Sequence, residues 1–204
     1  MKAFNLLFVL AISISCASQN TREKENKIET IEEQAQLIEK SFIKISNATG
    51  SNLETNELIF FESFPDSFEK FVALYGLDKP LYESGYDHLM ALYNLRTISA
   101  RSHVEKYIKL SKNGIWDADN TGDLQWQSFD KITNNTEVAN RYLMSMSELE
   151  VRSVFYFLLD GPHPEDKGKK SEFKILAEKF RQINPIYVDW IKSEYSKVLK
   201  ARTH

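Results

Sequence analysis

The stretch Ser147–Pro164, SELEVRSVFYFLLDGPHP, decides how the rest of the chain folds. Ser147 and Glu150 have the spacing of a capping box, in which each side chain binds the free backbone N–H of the other residue and a helix begins. From Val154 to Leu159 there is no charge, so every face of the last two turns needs cover from other elements. Asp160-Gly161-Pro162 is expected to end the helix, because glycine tolerates the left-handed conformation and proline cannot continue the hydrogen-bond ladder. The stretch therefore predicts a central, buried helix.

The overall composition is that of an ordinary globular domain, with 42% hydrophobic and 27% charged residues in a chain of 204. This size and composition predict one domain with one core. The formal net charge is −3, and loss of Lys2 with an N-terminal signal would leave 25 basic against 29 acidic residues, or −4. Binding to nucleic acid needs a concentrated basic surface, so a nucleic-acid partner is not expected.

The N-terminus has the pattern of an export signal. Lys2 is followed by the apolar run AFNLLFVLAISIS, which has the length of a signal-peptide core and is shorter than the ~20 residues that span a bilayer. Residues 1–15 are therefore predicted to be a signal peptide. The single cysteine, Cys16, follows the run, and residues 16–26 are predicted to be this cysteine and a polar tether. With one cysteine, no internal disulfide can form.

The segment around Cys16 resembles the signal of bacterial lipoproteins, in which a small residue precedes a cysteine that is lipidated and becomes the mature N-terminus. Ser15 is that small residue, whereas Ser13 stands where such signals usually carry leucine, so the motif is a relaxed one. The resemblance implies acylation of Cys16, palmitate included, and stable anchoring in the cell envelope. Ser18 in place of Asp implies the outer membrane. Ordinary signal cleavage beside an incidental cysteine is the alternative.

Residues 27–204 are predicted to form an all-α domain of seven or eight helices around the central one. Apolar residues recur at helical spacing from Ile28 to Ile45, which predicts an amphipathic helix with a solvated polar face. Caps and apolar periodicity predict further helices from about residue 66 to 76, from 84, from 97 to 110, from 136 to 146, from 171 to 182 and from 185.

Three segments lack a clear helical pattern. Residues 47–56 are predicted to be a loop by composition, and Leu58–Phe64 a short strand or an extended cover over the core. No period is sustained between Ser111 and Thr133, which predicts one long structured loop, because long irregular stretches in compact domains are functional or disordered. Trp116 and Trp126 argue against disorder, since unfolded segments are poor in aromatic residues.

Within that predicted loop, the run DADNTGD begins like a calcium-binding loop, with oxygen-bearing side chains at alternate positions and then a glycine. The ligands would be Asp117, Asp119, Thr121 and Asp123. An EF-hand loop also needs a bidentate glutamate at its twelfth position, and Ser128 occupies that place. A turn held by Asp and Asn side chains is therefore preferred to a calcium site.

Histidine and carboxylate residues provide the other candidates for chemistry. One catalytic or metal site could form only if the fold brought together His88, Asp87, Asp160 and His163. The chain has no HExxH, GxSxG, CxxC or glycine-rich phosphate loop. No catalytic residue is assigned on this basis, and a structural role is preferred for both histidines.

Aromatic residues in predicted loops, Trp116, Trp126 and Tyr82, fit the composition of protein-binding surfaces. Since Asp117, Asp119 and Asp123 lie among them, the expected site is an acidic patch flanked by Trp116 and Trp126 and suited to a basic partner. Core packing is the alternative for these aromatic residues.

The preferred function is a non-enzymatic, lipid-anchored envelope protein that binds a macromolecular partner. Small helical lipoproteins of this kind are similar in general type to periplasmic immunity proteins, which block toxins, although no motif carries the likeness. An envelope hydrolase using carboxylate, histidine or metal chemistry is one alternative. A structural accessory subunit of an envelope complex, which would expose a large apolar patch, is the other.

Overall fold

A computed structural model describes residues 30–202 of the protein, and these residues contain ten α-helices, one 3-10 turn and no strand. The predicted signal peptide, Cys16 and the tether lie outside the described residues. The helices have the following bounds: α1 Ile31–Ser46, α2 Leu53–Ser63, α3 Phe68–Tyr75, α4 Gly85–Asn94, α5 Ala100–Ser111, α6 Asn120–Asn134, α7 Thr136–Leu143, α8 Glu148–Leu159, α9 Lys167–Arg181 and α10 Ile186–Arg202. The 3-10 turn is Gly50–Asn52.

Helix α8 is the central helix that its sequence predicts. Both halves of the capping box between Ser147 and Glu150 are present, and the helix packs against α5, α6, α9 and α10. Its apolar side chains are buried, as follows: Val151, Val154, Phe155, Phe157, Leu158 and Leu159. The helix ends because Asp160 is extended, with φ −65° and ψ 160°, and not because Gly161 adopts a left-handed conformation.

One hydrophobic core runs through the described residues, which confirms a single all-α domain. The expected count of seven or eight helices was wrong. Eight of the ten helices correspond to predicted ones, and α2 and α6 are the two that the sequence patterns did not indicate.

Helix α2 occupies the segment predicted to be a loop and then a strand or extended cover. Phe60 and Phe64 are buried at a spacing of four residues, which suits a helical face. Ser63 Oγ lies 3.0 Å from Ser41 Oγ of α1, so a buried hydrogen bond joins the two helices. The buried Glu57 accepts the backbone N–H groups of Arg96 and Thr97, at 2.9 and 2.7 Å. Because the charged Glu57 is buried, the apolar period of α2 is hard to recognise in the sequence.

Helix α6 replaces most of the predicted long loop, which shortens to Lys112–Asp119. The helix buries many polar residues, and burial of polar groups breaks the apolar period by which a helix is recognised. The buried polar side chains are Asn120, Thr121, Gln125, Gln127, Ser128 and Thr133. Gln127 accepts the Tyr107 hydroxyl at 2.8 Å, and Gln125 donates to the carbonyl groups of Phe157 and Asp160. These bonds satisfy amides that would otherwise be costly to bury.

Candidate functional site

Trp116 and Trp126 have different partners in the structure, and the predicted patch flanked by both stays a prediction. Trp116 belongs to the Lys112–Asp119 loop, where its backbone N–H donates to the buried Asp160 carboxylate at 2.9 Å. Asp160 also pairs with Arg202 of α10 through two contacts of 3.0 Å. The Arg202 guanidinium lies 5.7 Å from the centre of the Trp116 ring. Trp116 and Asp160 therefore fasten the loop to α8 and α10.

Hydrogen bonds hold two of the acidic side chains of the DADNTGD run. Asp117 accepts the N–H of Ala118 at 2.8 Å, and Asp119 accepts the hydroxyl of Tyr82 at 2.5 Å. Thr121 is buried in the first turn of α6, and Asp123 lies on the same helix. Within residues 30–202, no group of three or more His, Cys, Asp or Glu side chains is placed to hold a metal ion. The preferred turn and the alternative of a calcium site both stay predictions.

Helices α4 and α6 run parallel with a constant offset of 37 residues. The Tyr82 hydroxyl just before α4 donates to Asp119 just before α6, and the Tyr93 hydroxyl donates to Asp130 at 2.6 Å. Between these two bonds, the Gln127 amide contacts the sulfur of Met90 with the same offset. A constant offset along α4 and α6 means that the two helices point in the same direction.

The same offset places Tyr86 opposite Asp123. Tyr86 is 57% exposed and Trp126 is 55% exposed, while the Trp126 ring lies 5.5 Å from that of Tyr93. Burial, and then the charge of Asp119, raise the pKa of Asp123. We call this surface the acidic–aromatic face, and its members are Tyr82, Tyr86, Tyr93, Asp119, Asp123, Trp126 and Asp130. It combines large exposed rings with three carboxylates.

Asp130 and Lys131 both contact Tyr93 at one end of this face. The hydrogen bond to Asp130, followed by burial, raises the pKa of Tyr93 to about 12. Lys131 lies 4.1 Å from the centre of the Tyr93 ring and donates to the Tyr93 carbonyl at 2.8 Å. Lys131 therefore places a positive charge at this end of the face, next to Asp130, and Asp119 and Asp123 give the opposite end its acidic character.

The candidates for an enzyme site have separate partners. His88 is fully buried and contacts Tyr75 and Glu39, whereas Asp160 pairs with Arg202. His163 is 69% exposed at its side chain and lies 3.9 Å from Glu165. Asp87, next to His88, is exposed. Among residues 30–202, these contacts do not join His88, Asp160 and His163 into one cluster.

Sequence reasoning missed several residues of the site because their partners lie on other helices. Glu39 of α1 accepts the Ser84 hydroxyl at 2.7 Å and lies 3.6 Å from His88. Tyr86 and Tyr93 carry no motif, and the offset that pairs them with α6 is not visible along the chain because α5 intervenes. The signal in the sequence for this site was the presence of aromatic residues close to acidic ones.

The chain matches no protein-family model, no curated protein sequence and no solved structure in comparisons with each. Among the described residues, no helix has the length and apolar character needed to cross a membrane.

Proposed function

We propose that this protein is a non-enzymatic, lipid-anchored envelope protein that binds a basic macromolecular partner through the acidic–aromatic face. The observation that carries the proposal is the exposure of Trp126 and Tyr86 beside Asp119, Asp123 and Asp130 on two parallel helices. Tryptophan and tyrosine are enriched among residues that dominate binding energy in protein interfaces. The face takes the place of the patch that the sequence suggested, with Tyr86 in the role first given to Trp116.

The carboxylates of the face favour a cationic partner. Asp119 and Asp130 each accept a tyrosine hydroxyl, which fixes their direction, while the 37-residue offset between the helices sets Asp123 opposite the exposed Tyr86. A fixed acidic surface attracts a basic protein over distances set by ionic strength, and cations also stack on aromatic rings. A basic toxin that crosses the envelope is the partner class implied by the likeness to immunity proteins.

Anchoring through Cys16 suits such a role. Fourteen residues, from Ala17 to Thr30, separate Cys16 from the first residue of α1. An extended chain of this length spans at most about 50 Å, at roughly 3.3–3.6 Å per residue. The tether is therefore long enough for the domain to turn its acidic–aromatic face away from the lipid surface.

Affinity capture from the native envelope tests the partner role. The immobilised protein is compared with the Tyr86→Ala, Trp126→Ala double variant and with Met144→Ala, which removes a large exposed apolar side chain elsewhere. We expect the wild type and Met144→Ala to retain the same basic protein at low salt and to release it as salt rises. The double variant is expected to lose it. Equal retention by the double variant would contradict the proposed face.

A further inference from the structure

A separate groove lies between α1 and the segment that precedes α4. Its volume is about 710 Å³, within the range of roughly 300–1,000 Å³ that is usual for small-molecule sites. Apolar side chains form its walls, namely Ala35, Ile43, Pro80 and Leu81. Glu32, Lys40 and Lys44 stand at the rim with their side chains in solvent, and Glu39 is the charged residue of the lining that is partly buried.

A hydrogen bond fixes the direction of the Glu39 side chain, which still reaches the groove. Its Oε1 atom accepts the Ser84 hydroxyl at 2.7 Å, and its side chain remains 40% exposed. The rim lysines sit on flexible stems that keep their charges in water. Glu39 is therefore the charge of this groove that a ligand would meet in a fixed position.

A buried histidine faces Glu39 from the core side. His88 is fully buried, with the Phe42 ring 4.6 Å away, and its Nδ1 atom lies 3.1 Å from the Tyr75 hydroxyl. On the other side of the ring Nε2 faces Oε2 of Glu39, and because a carboxylate oxygen accepts, the tautomer with its proton on Nε2 fits these surroundings and leaves Nδ1 to accept the Tyr75 hydroxyl. A neutral His88 then carries its proton on Nε2.

The Nε2–H group of His88 is a buried donor without a hydrogen-bond partner in the described part of the chain. It points at Oε2 of Glu39 from 3.6 Å, which is longer than a hydrogen bond. A buried unpaired donor is unfavourable, and a modest movement of Glu39 would pair it. The carboxylate thus has the groove on one side and an N–H group on the other.

We infer that this groove binds a primary amine with an apolar body, such as an alkylammonium ion. The ammonium group would pair with the Glu39 carboxylate beside Ser84, and the apolar body would lie against Ala35, Ile43 and Leu81. A cation is favoured over an anion because the fixed charge is negative and the lysines remain in solvent. This site lies apart from the acidic–aromatic face and does not depend on the proposed partner.

The test is a titration of the full chain with hexylammonium, followed by NMR signals of the Ala35 methyl group and the His88 ring. We expect saturable shifts at both residues. Glu39→Gln is expected to weaken binding about tenfold or more, because it removes a charge-assisted contact. Glu32→Gln, which neutralises an exposed rim carboxylate on the same helix, is the matched control and should change the affinity less than about twofold.

Two further measurements keep the inference open to refutation if Glu39→Gln disturbs folding. Ile43→Ser removes an exposed apolar wall of the groove and should also weaken hexylammonium binding. Hexanoate, which has the same chain with the opposite charge, should not bind to the wild type. Absence of saturable shifts with hexylammonium, equal binding of hexanoate, or unchanged affinity in Glu39→Gln would each overturn the proposed site.

Discussion

At the scale of the single residue, His103 shows how burial controls charge in this protein. It lies in the core between Phe61 and Tyr107, with ring centroids 5.8 and 6.5 Å away. Burial, and then the charge of Lys131, lower the pKa of His103 to about 4, with a smaller opposing effect from Glu57. The folded protein therefore keeps this histidine neutral at every pH above that value.

This pKa makes the free energy of unfolding depend on pH. Between pH 6.5 and 4 the unfolded chain binds a proton at His103 that the folded chain does not, so stability falls as the pH falls through this window. The loss reaches roughly 3 kcal/mol, because a pKa of about 4 in place of 6.5 corresponds to about 1.36 kcal/mol per pH unit. We expect His103→Leu to flatten this part of the pH profile, measured by urea unfolding at several pH values.

His163→Gln is the control for this measurement, because the His163 side chain is largely exposed. Its pH profile should match that of the wild type. An equal slope for His103→Leu and the wild type would show that His103 is not the group responsible. His88, whose pKa burial also lowers, adds a slope of the same sign that His103→Leu leaves in place.

At the scale of the element, α8 is a stability determinant because its apolar side chains fill the core. We expect Phe155→Ala or Leu158→Ala to lower the free energy of unfolding by ~2–5 kcal/mol, the cost of emptying a packed core position. Leu149→Ala on the same helix is the matched control, since Leu149 is 79% exposed. Its effect should stay within about 0.5 kcal/mol. Chemical denaturation measures the free energy of unfolding of each variant. If both core variants unfolded at the wild-type midpoint, α8 would not be a stability determinant.

The contact between α4 and α6 depends on Gly85. A Cβ atom at this position would lie 2.2 Å from Oδ1 of Asn120, whose amide donates to the carbonyl groups of Tyr75 and Tyr82. Gly85→Ala should therefore push the two helices apart and cost about 1–3 kcal/mol, the range for overpacking. It should also move the Trp126 ring away from the Tyr93 ring, and tryptophan fluorescence can follow this change.

Gly168→Ala is the matched control for Gly85→Ala. Gly168 lies in the first turn of α9, and a Cβ atom there has no neighbour within 4 Å. Alanine should raise stability by up to about 1 kcal/mol through its helix propensity. If both glycine variants changed the melting temperature in the same direction, close packing at Gly85 would not be the cause.

At the scale of the whole molecule, one segment links the two surfaces. In residues 77–84, Pro80 and Leu81 line the groove, Tyr82 bonds to Asp119 of the acidic–aromatic face, and Ser84 bonds to Glu39. Packing of α1 and α6 against this segment therefore positions both the proposed partner face and the proposed amine site.

Lipid attachment at Cys16, which would fix the place of the whole molecule, stays a prediction. We expect Cys16→Ala to abolish metabolic fatty-acid labelling and to release the protein from the envelope fraction, because the chain has no other cysteine to acylate. Ser18→Ala, a neighbouring change that spares the cysteine, should keep the label. Retained labelling in Cys16→Ala would refute lipidation at this residue.

Much of the fold was predictable from the sequence where its causes are local. The capping box at Ser147 and Glu150 and the apolar run after it predict α8, because a cap and a helical period involve residues a few positions apart. The same reasoning finds the all-α class and the amphipathic helix α1 with its buried Ala35 and Ile38.

Features whose partners are distant in sequence depend on how the helices pack. Helix α6 has a weak apolar period because Gln125 and Gln127 are buried, and their hydrogen bonds run to other helices. Trp116 and Trp126 are ten residues apart but face different neighbours, since α6 begins between them. The pairs Tyr93–Asp130 and Glu39–His88 exist because separate helices pack side by side, and no local pattern encodes that packing.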